Sequence, residues 1–184
     1  MYAARKLYVK NWSDDPAEKH YSVQITYGGK PVPGYQPERI TSVEEEVMYW
    51  RKANHIHEWF VQNVQNDEDD CGKYCVAWEQ LRDLLDVCNE VIEASKLVDG
   101  TVYAGTVYDK DHPGGVEQRE PGKVIENSTL AAELLPTTSG FFFGSKEYDE
   151  DYLAEVIETR DWIVSMLDDQ KNGVPGDIYY SSSW

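Results

Sequence analysis

Apolar and polar residues alternate with a period of two in RKLYVKNW (5–12) and HYSVQITY (20–27). Both runs are rich in β-branched and aromatic side chains, which predicts two strands. Gly28-Gly29 ends the second, and the Pro-rich KPVPGYQPERI (30–40) reads as a linker. The period then lengthens. Ser42-Val43-Glu44-Glu45 has the form of a capping box, a serine that caps a helix start and a glutamate three on that reaches back to it. It predicts a helix from Ser42 to about Gln65. After the acidic turn NDEDDCGK (66–73), Leu81, Leu84, Leu85, Cys88, Val91 and Ile92 form the apolar stripe of a second helix over 78–97. Two Gly-punctuated runs, TVYAGTVY and GKVIE, predict strands within 99–125 around the loop DKDHPGGVEQREP. A short helix at 128–135, a buried strand in SGFFFGS (139–145), a long helix at 148–171 and a terminal strand in DIYYSSSW complete the pattern.

Helices and strands are segregated rather than alternating, so the expected class is α+β, a single domain with an antiparallel sheet packed against about four helices. Within residues 1–184 the expected order is a strand hairpin and Pro-rich linker (1–41) and a helical pair (42–98). Strands and a loop (99–145) follow, then a long helix and terminal strand (146–184). At 184 residues the chain is long enough to bury most of its apolar surface. Thirteen Tyr and six Trp argue against the disorder that so high a charge can otherwise signal.

Charge changes the picture most. Met1–Val64 holds eight Lys/Arg and eight Asp/Glu, so the whole formal charge of -17 lies in the remaining residues. A surplus confined to one part of a small protein repels nucleic acid and anionic membrane and favours basic protein surfaces or cations. No run of eighteen apolar residues predicts a membrane span, and MYAARKLYVKNW lacks the apolar core of a secretory signal. Three cysteines, odd in number and close together, argue against a disulfide framework and for a reduced, cytoplasmic setting.

Two segments carry candidate chemistry. In YWRKANHIHEWF (49–60), His55 and His57 leave a helix about 200° apart and do not chelate one ion together. His57 shares the buried stripe with Trp50, Phe60 and Val64, whereas His55 lies on the polar stripe, as a surface histidine. Arg51, Asn54, His55 and Trp59 form a polar-aromatic wall suited to an anionic or planar ligand such as a nucleotide. Cys71, Cys75 and Cys88 do not make a zinc site and read as small buried hydrophobes; no metal, cofactor or catalytic set is expected. The second segment is acidic. Glu79, Asp83, Asp86, Glu90 and Glu93 recur at spacings that place five carboxylates in one line, away from the Leu stripe. They repeat about every 5 Å, close to the interval of a phosphate backbone. Glu147, Asp149, Glu150, Asp151, Glu155 and Glu158 add a second acidic group that opens the last helix, with Glu147, Asp149, Glu150 and Asp151 as its expected contact residues.

The motifs KLYVKNW, VMYWRKANHIHEWFVQNVQN, ELLPTTSGFFFGSKEYDEDYLAE and the closing YYSSSW, in this order, resemble a family of small uncharacterised proteins encoded by bacteriophages. The resemblance runs from about Lys6 to Trp184 and departs in the loop at 109–121 and in the first residues. It implies a phage accessory protein acting in the host cytoplasm, and it carries over no catalytic residue. The expected function is therefore binding and inhibition of a host factor, one of defence, through the acidic surface, with DNA mimicry as one form. The partner would be a host protein with a basic surface, with no direct binding of nucleic acid or membrane. Two other classes stay open: a protein that sequesters a small nucleotide signal through the Arg51–Trp59 wall, and an enzyme of unknown class.

Overall fold

A computed structural model describes residues 1–9, 23–36, 39–108, 110, 113–139 and 145–183. Four strands make an antiparallel sheet in the order β4-β1-β8-β5: β1 (Tyr2–Tyr8), β4 (Ser42–Tyr49), β5 (Lys73–Val76) and β8 (Asp177–Ser181). Thr26–Tyr27 (β2) and Lys30–Pro31 (β3) form a small ribbon around Gly28-Gly29. Four helices pack with the sheet: α1 (Asn54–Asn63), α2 (Trp78–Ala94), α3 (Thr129–Leu134) and α4 (Glu150–Lys171). A long two-stranded ribbon, β6 (Leu97–Val107) with β7 (Val116–Ile125), stands apart from the main sheet. The molecule is a single α+β domain, as the segregated pattern predicts.

Two expectations at the N-terminal end fail. Among the described residues the first strand, Tyr2–Tyr8, is flanked by β4 and by β8 rather than by residues 23–27, and positions 10–12 and 20–22 of the expected hairpin lie outside the described residues. The capping box at Ser42 caps nothing, because Ser42–Tyr49 is a strand, and residues 42–98 are therefore not a simple helical pair. Cross-strand partners decide this. Glu45 lies opposite Arg5, whose guanidinium donates to it at 3.1 and 2.7 Å, and Glu44 lies opposite Lys6 and takes Lys73. Those ion pairs satisfy a row of acids that a helix would leave in water. Lys52, held at φ 68°, turns the chain out of the strand, and α1 starts only at Asn54.

The other elements follow their patterns. The α2 stripe of Leu81, Leu84, Cys88 and Val91 is buried, and α2 packs against α4. Pairing of β6 with β7 reaches Val107↔Val116, so the loop between them is shorter than the sequence suggests. The predicted strand SGFFFGS falls mostly on residues 140–144, outside the described residues.

One face of the sheet forms the floor of the core. Ala3, Val76, Ile178 and Tyr180 are buried there with Trp50, Phe60 and Trp162 above them. Phe60 stacks on Tyr180 at 4.0 Å, and Trp50 meets Trp162 edge-on at 5.2 Å. Trp50 also donates its indole N–H to Thr159 Oγ1 at 2.9 Å, which ties the end of β4 to α4. Trp50 and Phe60 are thus core residues, as expected, but only Phe60 lies on α1; Trp50 sits in the turn between β4 and α1. Among the described residues no helix is long and apolar enough to cross a membrane.

Candidate functional site

Two features emerge, an acidic face on the helices and a pocket between two helix starts. The acidic face follows from the α2 stripe. Because Leu81, Leu84, Cys88 and Val91 point inward, Glu79, Asp83, Asp86, Glu90 and Glu93 all point to solvent, and all five are exposed. Glu79 is shared with Arg82 at 3.3 Å; among the described residues no cation pairs with the other four. Together α2 and α4 carry twelve acids against three bases, whereas the four strands of the main sheet carry four acids against three bases. A little over half of the surplus charge therefore sits on these two helices.

The second acidic group divides. Glu150 and Asp151 are exposed. Glu147 is half-buried and holds Arg119 through two short contacts, 2.6 and 3.0 Å, while also accepting the Tyr103 backbone N–H. Asp149 is buried and caps α4 by accepting the Tyr152 N–H at 2.9 Å. Glu147 and Asp149 are thus structural: one pins the β6–β7 ribbon, the other starts a helix.

The pocket is built around α1, which is buried on both flanks because the sheet covers one side and α4 the other. His57 faces the sheet, with Nδ1 2.6 Å from the Tyr180 hydroxyl and Nε2 3.3 Å from Asp69. Burial lowers its pKa and Asp69 opposes that shift. His55 faces α4, and here the sequence expectation of a surface histidine is wrong: the side chain is only 2 % exposed. Its ring lies 4.2 Å from that of Tyr152, and its Nδ1 is 3.8 Å from Glu155, beyond hydrogen-bonding reach. Its buried Nε2 has no partner among the described residues.

Between the starts of α1 and α4 lies a cavity of about 270 Å³. His55, Tyr152 and Glu155 line its depth, Arg51 and Lys52 one rim, and Ser145 and Asp151 the other. A more open hollow of about 430 Å³ adjoins it through Ser145 and Glu147 and reaches Tyr103 and Glu117 on the ribbon. Burial holds the His55 imidazole down to about 3. Burial, and then the charges of Asp151, Asp149 and Glu158, push the Glu155 carboxyl up to about 8. At neutral pH the pair is therefore a neutral imidazole facing a carboxyl that keeps its proton, not an ion pair.

Of the wall expected from sequence, only Arg51 and His55 reach this pocket. Asn54 is committed elsewhere: its amide donates to the Ser145 carbonyl at 3.0 Å and its Oδ1 accepts the Thr138 N–H at 2.7 Å. Trp59 is buried, edge-on to Phe60. Cys88 is a buried thiol, pushed up to about 12 by burial, but Cys71 and Cys75 are exposed on the turn and on β5. Among the described residues no three His, Cys, Asp or Glu side chains are placed to hold a metal ion.

Glu155 is the residue the sequence reading passed over, as one more acid of the last helix. It lies three positions after Tyr152 and four before Thr159, both buried, so helical spacing alone places it on the inward stripe. No protein-family model matches the chain, and no match to it was found among curated proteins or solved structures.

Proposed function

We propose that this is a phage-encoded accessory protein that binds a basic surface on a host factor, one of defence, and inhibits it through the α2 face. The observation that carries the reading is the row Glu79, Asp83, Asp86, Glu90 and Glu93, exposed throughout, four of whose members take no cation among the described residues. Like charges at these spacings cost a few tenths of a kcal/mol per pair, so the row is not explained by helix stability. An external basic surface supplies the missing counter-charge, steers encounter and sets specificity. The spacing also suits a protein that normally grips a phosphate backbone, so DNA mimicry is the form we favour. Phage origin rests on the resemblance of the four sequence motifs. The reading of the Arg51–Trp59 wall as a nucleotide site gains less support, since an anion entering the pocket meets Asp151 and Glu155 beyond the rim cations.

The test is a reversal of Asp83, Asp86 and Glu90 to Lys. Wild type should pull down one dominant host protein from infected cells in a salt-sensitive manner, because exposed charges are screened beyond about 8–10 Å near physiological ionic strength. The triple variant should lose it, chiefly through slower association. A triple variant that retains the partner with unchanged salt dependence reduces the row to a solvated face.

A further inference from the structure

We infer that the pocket between the starts of α1 and α4 is a binding site for a cationic N–H donor, an alkylammonium or guanidinium group, recognised by Glu155, Asp151 and His55. The inference stands on the pocket alone and survives failure of the α2 reading.

Three observations converge. The cavity, about 270 Å³, admits a small charged group with part of its carrier. At its depth His55, 2 % exposed, turns Nδ1 toward Glu155 at 3.8 Å, too far to bond, so this nitrogen has no partner within hydrogen-bonding reach among the described residues. A neutral imidazole offers one acceptor nitrogen, which calls for an external donor. Glu155 is the third observation. Its carboxyl is partly buried, has among the described residues only the distant His55 contact, and faces further carboxylates at Asp151 and Asp149 with Glu158 nearby.

The cations at the rim do not meet this need. Arg51 and Lys52 are exposed in the segment before α1, and neither contributes to the balance of charge at Glu155. Glu147 is held by Arg119, and Asp149 by the backbone of α4, which leaves Asp151 and Glu155 as the available acceptors. An anion at this mouth meets the Asp151 carboxylate opposite Arg51 and Lys52. A group that donates several N–H bonds and carries positive charge satisfies Asp151, Glu155 and the acceptor nitrogen of His55 together. Tyr152 is already engaged, its hydroxyl donating to the Leu135 carbonyl at 3.0 Å, so it serves as the wall on which His55 rests.

Binding carries a proton signature. Free protein holds a proton on Glu155 at pH 7; when a cation seats, the charged carboxylate is favoured and that proton passes to the buffer.

The experiment is calorimetry and amide NMR on the full chain, with methylguanidinium, propylammonium and tetramethylammonium as probes at pH 7. The first two should bind saturably and perturb amides near His55 and Tyr152. Tetramethylammonium, charged but without N–H, should not. Heats measured in buffers of different ionisation enthalpy should differ by close to one released proton. Glu155→Gln should weaken binding at least about tenfold, the loss expected for one charge-assisted bond, and abolish the buffer dependence. Asp151→Asn is exposed and cannot disturb the core; it should weaken binding by a smaller factor. Competition by a capped arginine peptide assigns the source to a protein side chain; no competition assigns it to a free amine. The lysine reversals on α2 should leave probe binding unchanged. Absence of binding by both N–H probes, equal binding of tetramethylammonium, or unaltered binding in Glu155→Gln overturns the inference.

Discussion

His55 and His57 stand two residues apart on α1, equally buried, and the structure treats them in opposite ways. The ring of His57 lies between the Tyr180 hydroxyl and Asp69, on the side where Phe60 stacks on Tyr180 and the sheet closes the core. His55 lies under an open pocket, opposite a carboxyl that keeps its proton, with no partner within bonding distance among the described residues. Burial by itself therefore does not separate a structural histidine from a functional one. What separates them is whether the protein supplies the hydrogen-bond partner or leaves that to something outside.

The sheet side should carry the stability. Phe60→Ala removes the ring stacked on Tyr180 in a fully buried position and should cost about 3–5 kcal/mol, read by chemical denaturation. A loss under about 1 kcal/mol would show that the stacked cluster is not the keystone of that side.

The α4 side should carry a pH dependence instead. Glu155 titrates near 8 in the fold against an ordinary 4.5, so the folded state holds the extra proton between those values. Its contribution to stability is complete below about pH 4.5 and is lost as pH rises through 8. His55 acts in the opposite sense, costing stability as pH falls from 6.5 toward 3. Glu155→Gln should therefore gain on wild type by on the order of 2–4 kcal/mol between pH 5 and pH 9. Parallel stability curves for the two proteins would remove the asymmetry between the two flanks of α1.

Substituting the histidines themselves sharpens the contrast. His57→Leu leaves the buried Tyr180 hydroxyl without its partner and should cost about 1–3 kcal/mol. His55→Leu deletes a nitrogen that the protein does not satisfy, and thermal melts should show it nearly neutral or slightly stabilising. Equal losses in both would mean that the Nε2 of His55 is satisfied in solution. The smallest effect belongs to the acidic row: lysine at Asp83, Asp86 and Glu90 should move stability by no more than about 0.5 kcal/mol.

Periodicity reveals most of the helical layer. The stripe of α2 is long and unambiguous, so its acids could be placed outward from spacing alone. Ser42–Tyr49 was not legible, because SVEEEVMY satisfies a local capping rule and its reason for being a strand lies in Arg5 and Lys73, far away in sequence. The burial of His55 was equally hidden. A single amphipathic stripe describes a helix covered on one side, and α1 is covered on two. Glu155 was readable in principle from its place between Tyr152 and Thr159, but a glutamate among acids at a helix start looks like an ordinary partner of the helix dipole.

The position of β8 between β1 and β5 has a kinetic meaning. Tyr8 and Tyr179 touch across the sheet although 171 positions separate them in the chain. During synthesis β1 emerges long before β8, and one of its edges stays open until residues 177–181 leave the ribosome. The helices can form as they appear, but the sheet waits for a pairing of high sequence separation, which makes its closure slow for a domain of this size. In that interval the acidic surplus beyond residue 64 keeps unfinished chains apart by mutual repulsion, so the charge that we propose for recognition also favours solubility before the fold is complete.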